Sequence, residues 1–575
     1  MKRYWKYIRP YIQYYILGPC FMMMEVVGDV LLPYMLAKII NQGIAERNVA
    51  YIIKIGAIMG FIAVIMAVGG VLGAWFASKA AMNFGADLRM DLFEKIQQFS
   101  FQNIDNFSTG SLITRLTNDI TQIQNMIMMT LRMCLRSPGI LIGAMVMAFV
   151  ISPKLAAIFI IVLPVLAVLI VVIMRRAFPQ FRTLQEKLDA LNSCIQEGLV
   201  GIRLIKSFVR GDYEEMRFEK RNQQLKEANL TAMKTMLLYT PLMTLALNIT
   251  TVVVVWSGGN MIVAGNMQVG DLTAFTNYIV QIMSSLTMLS IAFLNWARAI
   301  ASFRRVGEVL DEKIDLTDEN AKHKDRAVCE GSVEFQNVSF RYYKNSPEWV
   351  IENISFKLEA GKTLGIIGST GSGKSTLVSM IPRLYDTDEG TVLVDGINVR
   401  DYGLKPLREG IGMVLQNNTL FSGSITENLK WGDEHADEKA VRKAAQNAQA
   451  AGFIDSFKDG YRTRLEQSGN NVSGGQKQRL CIARALLKCP KILILDDSTS
   501  AVDTATERAI REALHSEYKD MTKIIIAQRI RSVMDADEIL VLDNGKTAGF
   551  GTHEQLLADC PVYREIYDVQ NGREE

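Results

Sequence analysis

The chain has 575 residues, 49% of them hydrophobic and 21% charged, and its formal net charge is +3. This length is too great for one hydrophobic core, so several domain-sized units are expected. The small net charge argues against a nucleic-acid partner. The seven cysteines form no Cys-x-x-Cys pair, which excludes the usual zinc motifs and an ordered disulfide framework.

The first half of the chain has the composition of a membrane domain. Residues 1–9 are basic and aromatic but lack a cleavable signal pattern, so we interpret them as an anchor on acidic membrane lipid. Each apolar block that follows has about the length that a helix needs to cross a bilayer. The sequence therefore predicts a six-helix transmembrane domain over residues 1–305. Its blocks are residues 12–40, 52–77, 126–150, 155–174, 236–263 and 272–297.

The connections between these blocks are unequal in length and charge. Two long segments, 78–125 and 175–239, alternate with short links, and the second long segment is rich in arginine and lysine. The excess of positive charge predicts that the long segments and both termini are cytoplasmic in a multi-pass protein of the cell membrane. Helical spacing of apolar residues predicts that the membrane helices continue into the cytosol. Turn residues at 106–110 and 210–213 predict two elbows there.

Two acidic residues lie within the first apolar block. Glu25 and Asp29 are four residues apart and therefore share one face of the helix. Ionisable groups at membrane depth usually face protein or a water-filled cavity, so contact with a cation or a gating role is one interpretation. An interhelical hydrogen bond or a wet position near the membrane surface is the alternative.

The second half of the chain has a different pattern of apolar and polar residues. Residues 306–326 are polar and charged, which predicts a linker. From residue 327 to residue 575, short apolar runs alternate with helical patterns, as in an α/β domain with a largely parallel sheet. The predicted strands include residues 363–367, 412–415, 492–495 and 524–527.

A glycine-rich motif directly follows the strand predicted at 363–367. It matches the phosphate-loop pattern G-x-x-x-x-G-K-[ST], in which backbone N–H groups and a helix N-terminus surround phosphate oxygens. In this interpretation Lys374 reaches the β- and γ-phosphates of ATP and Ser375 holds Mg²⁺. Thr376, which continues the helix, is also expected to bind the nucleotide. The residues of the motif are Gly368, Ser369, Thr370, Gly371, Ser372, Gly373, Lys374 and Ser375.

A second nucleotide signal is the apolar run 491–495, which ends in Asp496 and Asp497. Alone, such a run is more often structural. In the same domain as a phosphate loop, an aspartate at a strand end can hold Mg²⁺ and its water shell, and we assign this role to Asp496.

A third motif lies between these two. In Asn471-Val472-Ser473-Gly474-Gly475-Gln476, a serine and two glycines at a predicted helix start offer hydroxyl and N–H donors to an anion. The stretch resembles the signature of ATP-binding cassette (ABC) ATPases, with Val472 in place of the usual leucine. In that family the signature completes the ATP pocket of the opposing domain, which implies that Ser473, Gly474, Gly475 and Gln476 bind nucleotide.

The resemblance extends to further motifs in the family's order. Tyr342 resembles the aromatic residue that stacks on adenine, and Gln416 resembles the glutamine that senses Mg²⁺ and contacts the transmembrane part. Residues 500–503 resemble the loop that crosses the dimer interface. With six membrane blocks before one cassette, the whole chain resembles an exporter half-transporter that uses ATP and Mg²⁺.

Two residues depart from the family pattern. Asp497 stands where a catalytic glutamate polarises water, and Gln528 stands where a switch histidine touches the γ-phosphate. Aspartate is one methylene shorter, and glutamine carries neither proton nor charge to phosphate. We interpret the site as degenerate, as in one subunit of bacterial heterodimeric multidrug exporters, which implies a non-identical partner with both catalytic residues. The alternative is an active homodimer that tolerates both changes.

The sequence says less about the transported substrate than about the use of ATP. The resemblance favours a small amphipathic or apolar substrate. The methionine-rich membrane blocks suit such ligands, although filling of the helical core accounts for most of these methionines. A lipid or peptide exporter subunit, or an ATP-gated membrane regulator without transport, remains an alternative.

Overall fold

The computed structural model of the chain describes residues 2–344, 346–498 and 500–571. It divides into two compact units. The helical unit comprises Met1–Gln97 and Thr109–Asp311, and the α/β unit comprises Gln98–Ser108 and Glu312–Glu575. A short segment from the first long cytosolic connection thus belongs to the α/β unit.

The helical unit consists of long apolar helices. In the part of the chain that the structure describes, five helical stretches are long and apolar enough to cross a membrane. The sixth predicted block lies within helix Val269–Asp311, which continues beyond residue 305. The main helices are Ile12–Lys38, Val49–Gln97, Ile120–Met133, Arg136–Ile151, Pro153–Val200, Gly211–Leu237, Tyr239–Val263 and Val269–Asp311. Shorter helices include Thr109–Thr114 and Ile202–Ser207.

Two of these helices are much longer than a membrane is thick. Val49–Gln97 has 49 residues and Pro153–Val200 has 48, so each is about 70 Å long at about 1.5 Å per residue. The hydrocarbon core is only about 30 Å thick. Each helix is therefore long enough to extend well beyond the bilayer, as the sequence predicts.

The helical unit differs from the sequence prediction at two breaks. The block predicted at 126–150 is split, because helix Ile120–Met133 ends before a turn at Cys134 and Leu135. The second elbow lies a few residues earlier than predicted. Its turn includes Val209, whose φ is 52°, and Gly211 already begins the next helix.

The α/β unit contains a six-stranded sheet and a four-stranded antiparallel sheet. The six strands lie in the order Lys546–Gly551, Glu538–Asp543, Thr363–Gly368, Thr522–Ile526, Ile492–Asp496, Ile411–Val414. The four-stranded sheet has the order Ile351–Leu358, Val333–Phe340, Glu389–Val394, Ile397–Asn398. The longer helices around them are Glu438–Asn447, Gly474–Leu487, Thr504–Ser516 and Pro561–Asn571.

The larger sheet positions the site. All four strands predicted from the sequence are present, and they are adjacent and parallel. Their isoleucine and leucine side chains are buried on both faces except for the half-buried Ile525, as is typical of parallel sheets covered by helices. Because the strands are parallel, the ends that carry Gly368, Asp496 and Ile526 lie at one edge of the sheet.

Candidate functional site

The glycine-rich loop connects strand Thr363–Gly368 to helix Lys374–Ser379. Gly373 precedes this helix with φ of 88°, a left-handed conformation that favours glycine. A Cβ on Gly373 would also lie 2.6 Å from Ile351 Cγ2 and 2.9 Å from Val350 O. The loop thus has the strand, turn and helix geometry expected of a phosphate loop.

Lys374 is the first residue of the helix, and its side chain returns to the loop. Its ammonium donates hydrogen bonds to the carbonyl oxygens of Gly368, at 2.9 Å, and Ser369, at 2.7 Å. Burial lowers the pKa of Lys374, and the charges of Asp496 and Asp497 oppose that shift. The loop therefore holds a partly desolvated cation beside two carboxylates.

Ser375, the last residue of the motif, and Asp496, at the end of its strand, form an oxygen-rich pair. Ser375 Oγ donates to Asp496 Oδ1 at 2.9 Å, although the two residues are 121 positions apart. Asp496 is only 4% exposed, and burial raises its pKa against the effect of this hydrogen bond. A hydroxyl and a buried carboxylate are the donors that Mg²⁺ prefers.

A cavity of about 320 Å³ joins these groups. Tyr342 lies at its margin, where its hydroxyl is 2.8 Å from Thr376 Oγ1 and its ring packs edge-on against Phe340 and Tyr385. The size and polar lining suit a small phosphorylated ligand. The lining residues are Tyr342, Val350, Thr370, Gly371, Ser372, Gly373, Lys374, Ser375, Thr376, Gln416, Asp496, Asp497, Ile526 and Gln528.

The two residues that depart from the family pattern contact each other. Gln528 Nε2 donates a hydrogen bond to Asp497 Oδ2 at 2.8 Å. Asp497 has φ of 47° and follows the strand end directly, which turns its side chain toward Gln528. Burial raises the pKa of Asp497, whereas the hydrogen bond from Gln528 and the charges of Lys374 and Arg529 oppose that shift.

The position of Gln528 is fixed by the last helix of the described chain. Gln570 Nε2 donates to the carbonyl oxygen of Gln528 at 2.8 Å, and Gln570 Oε1 accepts from Ile530 N at 2.8 Å. Gln570 was not predicted from the sequence, because this glutamine belongs to no motif. Its contact with Gln528 became visible only in the fold.

The residues of the third motif lie outside this cavity. Ser473 caps helix Gly474–Leu487 and forms a capping box with Gln476, in which Gln476 N donates to Ser473 Oγ at 3.3 Å and Ser473 N donates to Gln476 Oε1 at 2.9 Å. Both side chains are thus held at the helix start. Within this chain the structure does not bring Ser473–Gln476 together with the phosphate loop.

Gln478 connects the third motif to the strand end. It is buried, its Nε2 donates to Ser500 Oγ at 3.3 Å, and its Oε1 accepts from Ala501 N at 3.0 Å. Ser500 Oγ in turn donates to Asp497 O at 3.0 Å. Gln478 was not predicted to have a role, although the polar run that follows Gly475 was a signal.

The two acids of the first membrane helix pair with an arginine. Arg136 Nη2 lies 2.8 Å from Glu25 Oε1 and 3.4 Å from Asp29 Oδ2, so helix Arg136–Ile151 is tied to helix Ile12–Lys38. Of the two interpretations of these acids, the interhelical contact is the one that the structure contains. Arg136 was missed, because the split in its apolar block was not predicted.

Comparisons with known proteins agree with these motifs. Residues 15–286 match the model of the ABC transporter transmembrane region, and residues 351–500 match that of the ABC transporter. The chain is 39% identical to an uncharacterized ABC transporter ATP-binding protein, YfiB of Bacillus subtilis, over 100% of this chain and 99% of the relative. It is 33% identical to the putative multidrug export ATP-binding/permease protein YgaD of Bacillus subtilis, over 99% of each.

A solved structure has the same fold. A bacterial Atm1-family ABC exporter with ATP bound superposes with a TM-score of 0.81 over 98% of each chain, at 24% sequence identity. The predicted fold class, a helical membrane domain followed by an ABC nucleotide-binding domain, is confirmed.

Proposed function

Because the chain belongs to the ABC transporter family, we propose that it is one subunit of a heterodimeric exporter with unequal ATP sites. Membership makes it a multi-pass membrane protein whose cytoplasmic domain binds ATP and whose ATPase activity is coupled to export. The proposal adds three points: a degenerate site in this chain, a competent site completed by its signature, and a lipophilic substrate.

The chain's own residues bind the nucleotide in named roles. The backbone N–H groups of the phosphate loop and the Lys374 ammonium bind the phosphates, and the Tyr342 ring stacks on adenine. The Ser375 hydroxyl, the Asp496 carboxylate and the Gln416 amide oxygen would hold Mg²⁺, and the Ser375–Asp496 contact of 2.9 Å supports this assignment. When bound, Mg²⁺ neutralises charge on the phosphate oxygens.

The contact between Gln528 and Asp497 carries the proposal of a degenerate site. A general base must lie within hydrogen-bond reach of the attacking water and accept its proton. Here one carboxylate oxygen of Asp497 already accepts from Gln528 at 2.8 Å. The shorter aspartate also sets the carboxylate back by about 1 Å, a displacement that can cost on the order of a hundredfold in rate.

The signature supports a role in the partner's site. Ser473 and Gln476 are fixed by their capping box at the start of a 14-residue helix, and they lie away from this chain's phosphate loop. An ordered helix start offers N–H and hydroxyl donors to a phosphate brought by another chain. We assign that phosphate to the ATP bound by a non-identical half-transporter that carries a catalytic glutamate and a switch histidine.

The two cytosolic elbows differ in their surroundings. The first belongs to this chain's α/β unit, in which Tyr385 Oη donates to Asp105 Oδ2 at 2.9 Å and Asn103 Nδ2 donates to Lys313 O at 2.9 Å. The second exposes apolar side chains, with Val209 at 87% and Phe208 at 69%. Such a patch favours contact with another protein surface, which we assign to the partner's cassette.

The substrate proposal rests on a relative and on composition. YgaD, which is 33% identical over almost all of this chain, is described as a putative multidrug exporter. The membrane helices of this chain are rich in methionine, and the flexible side chains of those that are exposed, such as Met23 and Met24, suit varied apolar ligands. We therefore propose a small amphipathic or apolar substrate.

The test compares the chain alone with a variant that restores both family residues. Wild type should bind ATP but hydrolyse it feebly, because Asp497 and Gln528 then occupy both sites. Asp497→Glu combined with Gln528→His should raise turnover by at least about tenfold, and Asp520→Glu, at an exposed acid, should not. Wild-type turnover near the roughly ten per second typical of enzymes, abolished by Lys374→Ala, would contradict the degenerate site.

A further inference from the structure

A second cavity lies in the α/β unit and shares no lining residue with the nucleotide cavity. Its volume is about 950 Å³, within the range of small-molecule sites. Its walls come from helix Thr504–Ser516, strand Thr522–Ile526 and residues 531–536. None of the nucleotide motifs accounts for it.

A buried lysine lines this cavity from the centre of the sheet. Lys523 lies on an interior strand, between strands Thr363–Gly368 and Ile492–Asp496, and is only 4% exposed. It shares a face with Ile525, whereas Ile524 and Ile526 point into the core on the opposite face. Lysine is almost never this buried unless it is paired.

Within the described chain, no hydrogen bond or ion pair within 4 Å engages the Lys523 ammonium. The acids Asp520 and Asp537 act on it only at longer range, and burial lowers its pKa against their effect. Asp537 is already engaged by Lys362 Nζ at 3.2 Å and by Thr363 N at 2.8 Å. A positive charge on the cavity wall thus has donor capacity that the folded chain does not use.

Arginines on helix Thr504–Ser516 add to this charge. Arg511 Nη1 donates to Arg531 O at 2.6 Å and lies 3.4 Å from Asp535 Oδ2, which fixes its guanidinium, yet its buried Nε has no hydrogen-bond partner among the described residues. Arg508 is exposed one turn earlier on the same helix. The lining contains four cations, Arg508, Arg511, Lys523 and Arg531, against two acids, Glu512 and Asp535.

The rest of the lining is apolar. Leu514, Ile525, Met534 and Ala536 provide a hydrophobic surface beside the charged groups. A site that places the Lys523 ammonium and the exposed Arg508 guanidinium beside an apolar surface suits an anion attached to an organic group. Arginine and lysine together are the usual partners of phosphate, because guanidinium binds it through two N–H groups and ammonium adds a point charge.

We propose that this cavity binds a small molecule that carries a phosphate group, with Lys523 and Arg508 as its main cationic contacts. The proposal goes beyond the function proposed above and does not depend on a heterodimer. The phosphate can belong to an inorganic anion or to an organic phosphate ester, and the test uses one probe for each.

The test measures binding to the full chain while the phosphate loop is filled. The chain is purified in detergent and saturated with Mg²⁺ and a non-hydrolysable ATP analogue, and pyrophosphate and AMP are titrated separately by calorimetry. At least one probe should bind. Lys523→Met and Arg508→Gln should each weaken its binding by about tenfold or more, the loss expected for one charge-assisted hydrogen bond. Lys519→Met, at an exposed lysine of the same unit, should bind as wild type does.

Thermal unfolding separates a binding role from a structural one. Without a probe, Lys523→Met should be as stable as wild type or more stable, because it removes a buried charge that has no close partner. If Lys523→Met does not fold, Arg508→Gln decides alone, since Arg508 is exposed. Binding of AMP alone identifies an ester site, and binding of pyrophosphate alone identifies an inorganic-anion site. The proposal is overturned if neither probe binds, or if both variants bind the probe as wild type does.

Discussion

Changing Gly475 to alanine should damage ATP turnover of the exporter far more than removing the Asp497 carboxylate. A Cβ on Gly475 would lie 2.7 Å from Ala501 O, whereas ordinary contact begins at 3.4 Å. The start of helix Gly474–Leu487 and the segment that contains Ala501 must therefore separate by about 0.7 Å. A displacement of about 1 Å in a catalytic arrangement can cost on the order of a hundredfold. We therefore expect Gly475→Ala to lower turnover by about ten- to a hundredfold.

Asp497→Ala should lower turnover by less than about threefold, since it alters a site that already lacks its normal base. The assay is steady-state ATPase of the two half-transporters purified together. The partner's catalytic Glu→Gln variant is the benchmark for complete loss. Gly452→Ala is the matched control, because a Cβ at Gly452 meets nothing within 4 Å.

The ATPase rate of the Asp497→Ala variant shows whether the two ATP sites are unequal. If Asp497→Ala abolishes hydrolysis as completely as the partner's Glu→Gln does, both sites must hydrolyse ATP and the proposal of unequal sites is wrong. If Gly475→Ala is harmless, the signature of this chain does not complete a working site.

Two further predictions concern stability. Burial raises the pKa of Asp496, so the cost of ionising its carboxyl in the folded state destabilises the protein as pH rises above about 4. Asp496→Asn should therefore raise the unfolding temperature at pH 7 but not at pH 3. The same variant should weaken Mg²⁺-dependent ATP binding. Arg136→Leu should lower the unfolding temperature in detergent, because Glu25 and Asp29 lose their cation. Adding Glu25→Gln and Asp29→Asn to this variant should restore the unfolding temperature. If Arg136→Leu has no effect, the structural role of the ion pair is contradicted.

Local motifs made most of the α/β unit predictable. The strands at 363–367 and 492–495 are short apolar runs bounded by turn residues, and each carries a functional group at its end. The parallel sheet then places Gly368 and Asp496 at one edge. The motifs could thus predict that the phosphate loop and Asp496 share a site, although the hydrogen bond between Ser375 and Asp496 is visible only in the fold.

Other features depend on contacts between distant segments. Neither Arg136 nor Gln570 has a local signal, because each acquires its role from a residue 40 or more positions away. The hydrogen bond between Asp497 and Gln528 also joins segments that are distant in sequence, 31 positions apart. Both substitutions could be recognised from the sequence, but their contact follows only from the neighbouring parallel strands that precede them.

The most direct test of the central claim is to determine which chain traps nucleotide after hydrolysis. The paired half-transporters are incubated with Mg²⁺, vanadate and photoreactive ATP, irradiated, and separated so that the label on each chain can be counted. Trapping requires hydrolysis at a site, so the account predicts ADP label on the partner's chain and little on this one. Lys374→Ala in this chain should leave the partner's label largely in place. Equal vanadate-dependent ADP labelling of both chains would contradict the degenerate site.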